Sequence, residues 1–184
     1  LFCPSAKTGD LTIPKEIRMV ENGAFVNTSL SNVSFEEYPK DHEGYGNPLL
    51  EIGNGVMNAS GTPAAQYAVF TSSKAVNINL PSHLKAVGIG GFFKLSNKKS
   101  TVNFNMDARV KHITGSAFYN SSIVSVSLPA VEELHYGVFY NCKNLTSVTF
   151  HAASSFSKIP ASMFYGCQAM MTVEIPANVT NIEK

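Results

Sequence analysis

The stretch "FYNCKNLTSVTF", Phe139–Phe150, has near copies on both sides: "FYNSSIVSVSL" from Phe118 and "FYGCQAMMTVEI" from Phe164. A single closed core has no use for the same phrase at regular intervals. Repetition at a period of a few tens of residues is the signature of a solenoid, in which each unit buries its apolar face only against its neighbours. Working outward from the phenylalanine places Phe25, Phe70, Phe92, Phe118, Phe139 and Phe164 in one column. Five residues earlier stands an aliphatic column, Val20, Val87, Ile113, Leu134 and Ile159. Three before that is another apolar one, Ile17, Leu84, Val110, Val131 and Phe156.

After each phenylalanine comes a short alternating run: "NVSF", "VNINLP", "VNFNM", "VSVSLP", "SVTF" and "TVEIP". Period two puts alternate side chains on opposite faces of a strand. Val76, Ile78 and Leu80 are therefore expected to point inward, as are Phe104 with Met106 and Val124 with Val126 and Leu128. The runs close at Pro81, Asp107, Pro129, His151 and Pro176, a period of 22 to 26 residues. Proline suits a place where the ladder stops. One short strand per coil, always in the same sense, stacks into a parallel sheet. The 3-then-5 spacing fits neither a strand nor a helix, so the return path is expected to be turns and short helical pieces. The phenylalanine column becomes an interior aromatic ladder.

One region breaks the rhythm. Residues 36–66 are Gly- and Pro-rich and form an insertion in a single solenoid that spans 1–184. Leu49, Ile52 and Met57 keep the 3-then-5 spacing, which leaves open a coil with Met57 in the phenylalanine place. "EEYPKDHEGYGNP" reads as a surface loop, and long loops inside compact domains are usually functional or disordered.

Composition excludes several classes. Charged residues are 15% of the chain against 44% hydrophobic, and formal net charge is +1. No basic block offers nucleic acid an electrostatic footprint. No apolar run reaches the roughly 18 residues needed to span a membrane. The three cysteines, Cys3, Cys142 and Cys167, make no disulfide framework and fit no zinc spacing. Cys142 and Cys167 share the column three after the phenylalanine, where Thr28, Ser73 and Ser121 also stand. Neighbouring coils would bring the two Cα atoms to about 5 Å, inside the disulfide range, which leaves a bridge open; the column itself favours a small side chain in a tight turn, and both are expected to be free, buried thiols. "GIGGFF", Gly88–Phe93, lacks the Lys-Ser/Thr of a phosphate loop, and no cofactor motif is present. Of the five histidines, His112 and His135 sit one repeat apart and are candidate neighbours.

"ITGSAFYNSSIVSVSLP", "LHYGVFYNCKNLTSVTF" and "IPASMFYGCQAMMTVEIP" resemble the BspA-like leucine-rich-repeat family, as does the opening "CPSAKTGDLTIPKEIRMVENGAF". The resemblance covers Leu11–Phe35 and Val76–Ile182. It departs from the family at the insertion after Phe35, at Leu95 where Cys or Ser is expected, and at His151 in place of proline. It implies a leucine-rich-repeat solenoid, of the α/β horseshoe class but mostly β in content. It also implies a secreted or cell-surface protein, commonly of anaerobic bacteria, with relatives in parasitic protists and some members that are adhesins.

The outward strand positions are the leading candidates for binding: Asn77, Asn79, Asn103, Asn105, Ser125, Ser127, Ser147, Thr149 and Glu174. They form a nearly neutral face of short side chains, suited to hydrogen-bond a host or neighbouring-cell protein or glycan, or simply to stay soluble. Such a face lacks the aromatic anchors that dominate binding energy; Tyr38, Tyr45 and Tyr67, near the insertion, are the expected suppliers. Two alternatives stand beside this adhesion-type reading. One is a structural spacer or display stalk. The other is a hydrolase site in the insertion built on Asp41, His42 or Glu43. Six Asn-x-Ser/Thr sequons, at Asn27, Asn32, Asn58, Asn120, Asn144 and Asn178, follow from a chain rich in these residues.

Overall fold

Five of the six alternating runs hold strands that stack in parallel on neighbouring runs; the sixth, at residues 172–176, forms none. The computed structural model describes residues 7–21, 23–54, 68–71 and 73–184. On one side of the solenoid lie β1 (Thr8–Ile13), β3 (Ser29–Phe35), β5 (Asn77–Leu80) and β7 (Thr101–Phe104), parallel and in that order. A separate parallel pair, β9 (Ser125–Ser127) and β11 (Ser147–Thr149), continues the same side. Ile78, Leu80, Phe104, Val126 and Leu128 point into the core as the alternation requires. Val76, Met106 and Val124 do not: they are 36%, 41% and 44% exposed. Each stands just outside its strand, where the pleat no longer dictates direction.

The segment leading to the phenylalanine is a second strand, not turns and helical pieces. β2 (Met19–Val20), β4 (Leu50–Ile52), β6 (Leu84–Val87), β8 (Arg109–Ile113) and β10 (Ala130–Leu134) form another parallel sheet. β12 (Lys158–Ile159) and β13 (Asn181–Ile182) pair beyond it. A coil therefore carries two strands, and no helix occurs among the described residues. The second strand escapes a period-two reading because its buried residues are three apart. In β8, Val110 and Ile113 are both buried while Arg109 and Lys111 are exposed and His112 is half-buried. The alternation slips by one residue within the strand.

The turn that follows is built around two left-handed positions. Two before the phenylalanine stand Gly23, Gly90, Ser116, Gly137 and Ser162; two after it stand Asn27, Lys94, Asn120, Asn141 and Gly166. All ten have φ between 48° and 75°. Gly and Asn dominate because they reach this region at least cost. Backbone bonds still run coil to coil through the turn, as from Phe118 N to Val138 O (2.9 Å) and Asn120 N to Tyr140 O (2.9 Å). The Gly88 of "GIGGFF" is a packing requirement, because a Cβ there would overlap the Gly53 carbonyl.

The six phenylalanines form one continuous stack, with ring centroids 4.9, 5.5, 4.8, 5.0 and 5.8 Å apart from Phe25 to Phe164. The first five are fully buried. This stack settles the register around the insertion. Phe70 lies directly between Phe25 and Phe92, and β3 pairs directly with β5, so no extra coil fits between them. Leu50 and Ile52 of β4 are the buried pair of the Phe70 coil. Met57, proposed above for the phenylalanine place, lies outside the described residues, as do Cys3, Asn58 and Tyr67.

Between β3 and β4 the insertion crosses the end of the sheet as a strap. Glu37 accepts bonds from Ser82 N and Ser82 Oγ, both 2.7 Å, and from Asn105 Nδ2 at 2.9 Å. Beneath it lies His83, whose side chain is 1% exposed. Its Nδ1 is 3.8 Å from Glu37 Oε2, beyond hydrogen-bond distance, and Nε2 has no partner. Burial lowers the His83 pKa against the opposing pull of Glu37.

Two outcomes follow. Phe118→Ala, at the centre of the stack, is expected to lower unfolding free energy by about 3–5 kcal/mol, read from the urea midpoint. The depressed His83 pKa means the unfolded chain takes up a proton that the folded chain refuses. Its contribution is complete above pH about 6.5 and declines as pH falls below it, by at most about 1.4 kcal/mol per pH unit. His83→Leu should flatten the pH 7-to-5 stability profile relative to the unaltered chain; an unchanged slope would assign the acid sensitivity elsewhere.

Candidate binding surface

The expected Asn-rich face exists, but its members bond to one another. Asn32 Nδ2 donates to Asp10 Oδ1 (2.7 Å), Asn77 Nδ2 to Asn32 Oδ1 (2.7 Å), and Thr101 Oγ1 to Asn77 Oδ1 (2.9 Å). One pleat further on, Asn103 Nδ2 donates to Asn79 Oδ1 (2.9 Å) and Thr101 Oγ1 (3.2 Å). Parallel in-register stacking brings identical columns together, so amides that read as outward donors become a ladder along the rod. Asn105 belongs to the strap mounting rather than the face. It donates to Glu37 and accepts from Asp107 N.

The face changes character beyond β7. Ser125, Ser127, Ser147 and Thr149 are exposed and make no side-chain hydrogen bond among the described residues. The strand ladder also opens here. A shallow depression of about 260 Å³ lies between β7 and β9, bordered by Asn103, Met106, Ser125 and Ser127. Beyond β11 the segment Thr172–Pro176 is not hydrogen-bonded into the sheet, and the gap is a groove of about 700 Å³. Ser147, Thr149, Phe150, His151, Glu174 and Ile175 line it.

The insertion tyrosines do not supply free anchors. Tyr38 stacks on His42, lies edge-on to His83, and donates its hydroxyl to Lys15 O at 3.2 Å. Tyr45 donates to Asp107 Oδ2 at 2.6 Å, a bond that raises its pKa. Both fasten the strap to the solenoid. Asp41, His42 and Glu43 are exposed on its outer side, and none lines the main grooves. His42 Nδ1 accepts the Gly44 N–H, which closes the turn.

The free aromatics lie elsewhere. One residue after the core phenylalanine, Phe93, Tyr119, Tyr140 and Tyr165 form a second stack along the turn edge, with centroids 5.5, 5.2 and 4.7 Å apart. Exposure rises along it, from 3% at Phe93 to 62% at Tyr165, and Tyr136 beside it is 50% exposed. Burial and the neighbouring phenols Tyr165, Tyr136 and Tyr119 raise the Tyr140 pKa, which keeps its hydroxyl neutral. The sequence does carry this signal, as the "FY" of three successive repeats.

Cys142 and Cys167 are free thiols. Each donates to the carbonyl of a neighbouring coil, Cys142 Sγ to Phe118 O (2.9 Å) and Cys167 Sγ to Phe139 O (3.1 Å). Burial raises both pKa values, that of Cys167 to about 11. Leu95, the exception in that column, is fully buried. His112 and His135 are neighbours, with ring centroids 6.2 Å apart, and His135 Nε2 lies 3.5 Å from Glu133. No cluster of three or more metal-ligating residues occurs among the described residues.

A crystal structure of a leucine rich cell surface protein from Faecalibacterium prausnitzii A2-165 aligns at 15% identity and a TM-score of 0.41. The alignment covers 95% of this chain and 56% of that one, so the chain spans about half the length of that protein. No curated protein is significantly similar. The family of the BspA type Leucine rich repeat region matches in six copies, over residues 1–45 and 65–184. With six turns stacked on one phenylalanine column, the chain belongs to the BspA-type leucine-rich-repeat family.

Proposed function

We propose that this chain is a non-enzymatic recognition module of a secreted or cell-surface protein, binding a host or neighbouring-cell protein or glycan. The observation that carries the reading is the open half of the strand face. Ser147 and Thr149 present unpaired hydroxyls to a groove of about 700 Å³, and Ser125 and Ser127 do so at the depression of about 260 Å³ on the other side of the β9–β11 pair. Concave sites with a few converging polar groups are the usual form of recognition surfaces. The Asn ladder on the other half serves as the stiff support. No catalytic group converges on the groove: its titratable side chains are His151 and Glu174 at its two rims, and His151 Nδ1 accepts the Ala153 N–H. The family and the cell-surface description of the similar structure favour an exported location.

The continuous phenylalanine stack and the self-bonded Asn ladder support a second reading, a rigid spacer in a longer surface protein. Its faces would then bind nothing.

The deciding experiment presents the purified chain to immobilised matrix glycoproteins. Two variants accompany it, Ser127→Arg/Thr149→Arg and one with residues 36–48 shortened to a tight turn. Saturable binding lost only in the arginine variant is the expected result. Loss only in the shortened variant would move recognition to the strap. Absence of binding by the intact, folded chain would leave the spacer reading.

A further inference from the structure

The aromatic row on the turn edge is unlike the rest of the surface. Elsewhere the tyrosines are tied down: the Tyr38 and Tyr45 hydroxyls are both occupied. The hydroxyls of Tyr119, Tyr136, Tyr140 and Tyr165 have no partner among the described residues. Four phenols thus crowd one edge, three of them in register. Tyrosine presents a large, rigid, amphipathic contact at low entropic cost. Alongside run the amides of Asn120 and Asn141, themselves joined by a 3.2 Å bond. Tyr136 is also a wall of a separate groove of about 520 Å³, which contains Glu132, Glu133, His135, Lys158 and Glu183.

The spacing selects the partner. Successive rings along the row are 5.2 and 4.7 Å apart, because the coils are. An extended peptide advances about 3.3 Å per residue and drifts out of step with such a row after one unit. An extended chain of equatorially linked pyranose rings advances by roughly one coil spacing per sugar and so keeps step with the row. Its hydroxyls and C–H faces match phenol edges and amides repeated at that pitch. Charge narrows the class further. The adjoining groove carries three carboxylates against one lysine, which disfavours uronic or sulfated chains.

We infer that the row Tyr119–Tyr140–Tyr165, with Tyr136, Asn120 and Asn141, is a binding site for a neutral, extended glycan laid parallel to the solenoid axis, one sugar per coil. The site deepens the recognition reading above but stands on a different edge of the coil from the Ser/Thr face, and it fails or survives separately.

The chain contains no tryptophan, and four of its seven tyrosines belong to the site, so tyrosine emission is sensitive to its occupancy. Titration with cellobiose, cellotetraose, mannotetraose and tetragalacturonate is the test. A neutral β-1,4-linked tetrasaccharide is expected to change tyrosine emission saturably and to bind at least tenfold more tightly than cellobiose. The uronate should bind at least tenfold more weakly. Tyr140→Ser/Tyr165→Ser should abolish the effect with its circular dichroism unchanged. Tyr140→Phe, which keeps the stack, should weaken it severalfold, and Ser127→Arg/Thr149→Arg should leave it intact. If no neutral oligosaccharide binds up to millimolar concentration, or if binding survives in the double serine variant, the glycan site is wrong. Matrix-glycoprotein binding through the Ser/Thr face would still stand in that case. Preference for the uronate would overturn the neutral class.

Discussion

Every other feature of this molecule depends on the pitch set by the phenylalanine stack and the backbone bonds that run with it. A ring in each coil packs on the ring of the next, about 5 Å away, and N–H and C=O groups pair at the same interval through both strands and the turn. No coil has a buried face without its neighbours. Once that pitch is set, any residue type repeated in the sequence is repeated in space along a straight column. The turn obeys the same constraint. Two left-handed positions flank five of the six phenylalanines, and they let the chain reverse while its amides still point along the rod.

Columns give the surface its chemistry, and the same rule has opposite results on different edges. Short amides stacked at this distance find one another, so the Asn ladder is satisfied internally and stiffens the sheet. Hydroxyls can bridge coils in the same way, as Thr12 and Ser34 do at 3.1 Å, but Ser125, Ser127 and Ser147 make no such bond among the described residues and remain available. Tyrosines stack as the interior phenylalanines do, but their hydroxyls face outward with no protein partner. A neutral, repetitive surface of this kind has no single decisive residue. Its recognition capacity lies in many modest contacts held at one spacing.

The described part of the insertion, residues 36–49, interrupts the repeat and is fastened rather than loose. Glu37, Tyr38 and Tyr45 each bond a different coil of the solenoid, at Ser82, Lys15 and Asp107. The strap also covers His83, whose unpartnered ring nitrogens sit in the dry layer beneath. Residues chosen by type alone as binding anchors are thus the bolts of the strap. Tyrosine has an apolar body and a polar tip, and it serves either role according to whether a carbonyl or carboxylate lies within reach.

The sequence by itself determined the solenoid, the phenylalanine column and most inward positions of the first strand. All of these follow from local patterns repeated at a constant period. It did not reveal the second strand, because Val110 and Ile113 are three apart where a regular strand predicts two. Nor did it show that Asn77, Asn79 and Asn103 would bond to each other, that Val76, Met106 and Val124 would turn outward, or that the usable tyrosines lie at Tyr119, Tyr136, Tyr140 and Tyr165. Those outcomes depend on which atoms of adjacent coils come within hydrogen-bond distance. That distance is a property of the stack, set by residues some two dozen positions apart, and no single repeat contains it.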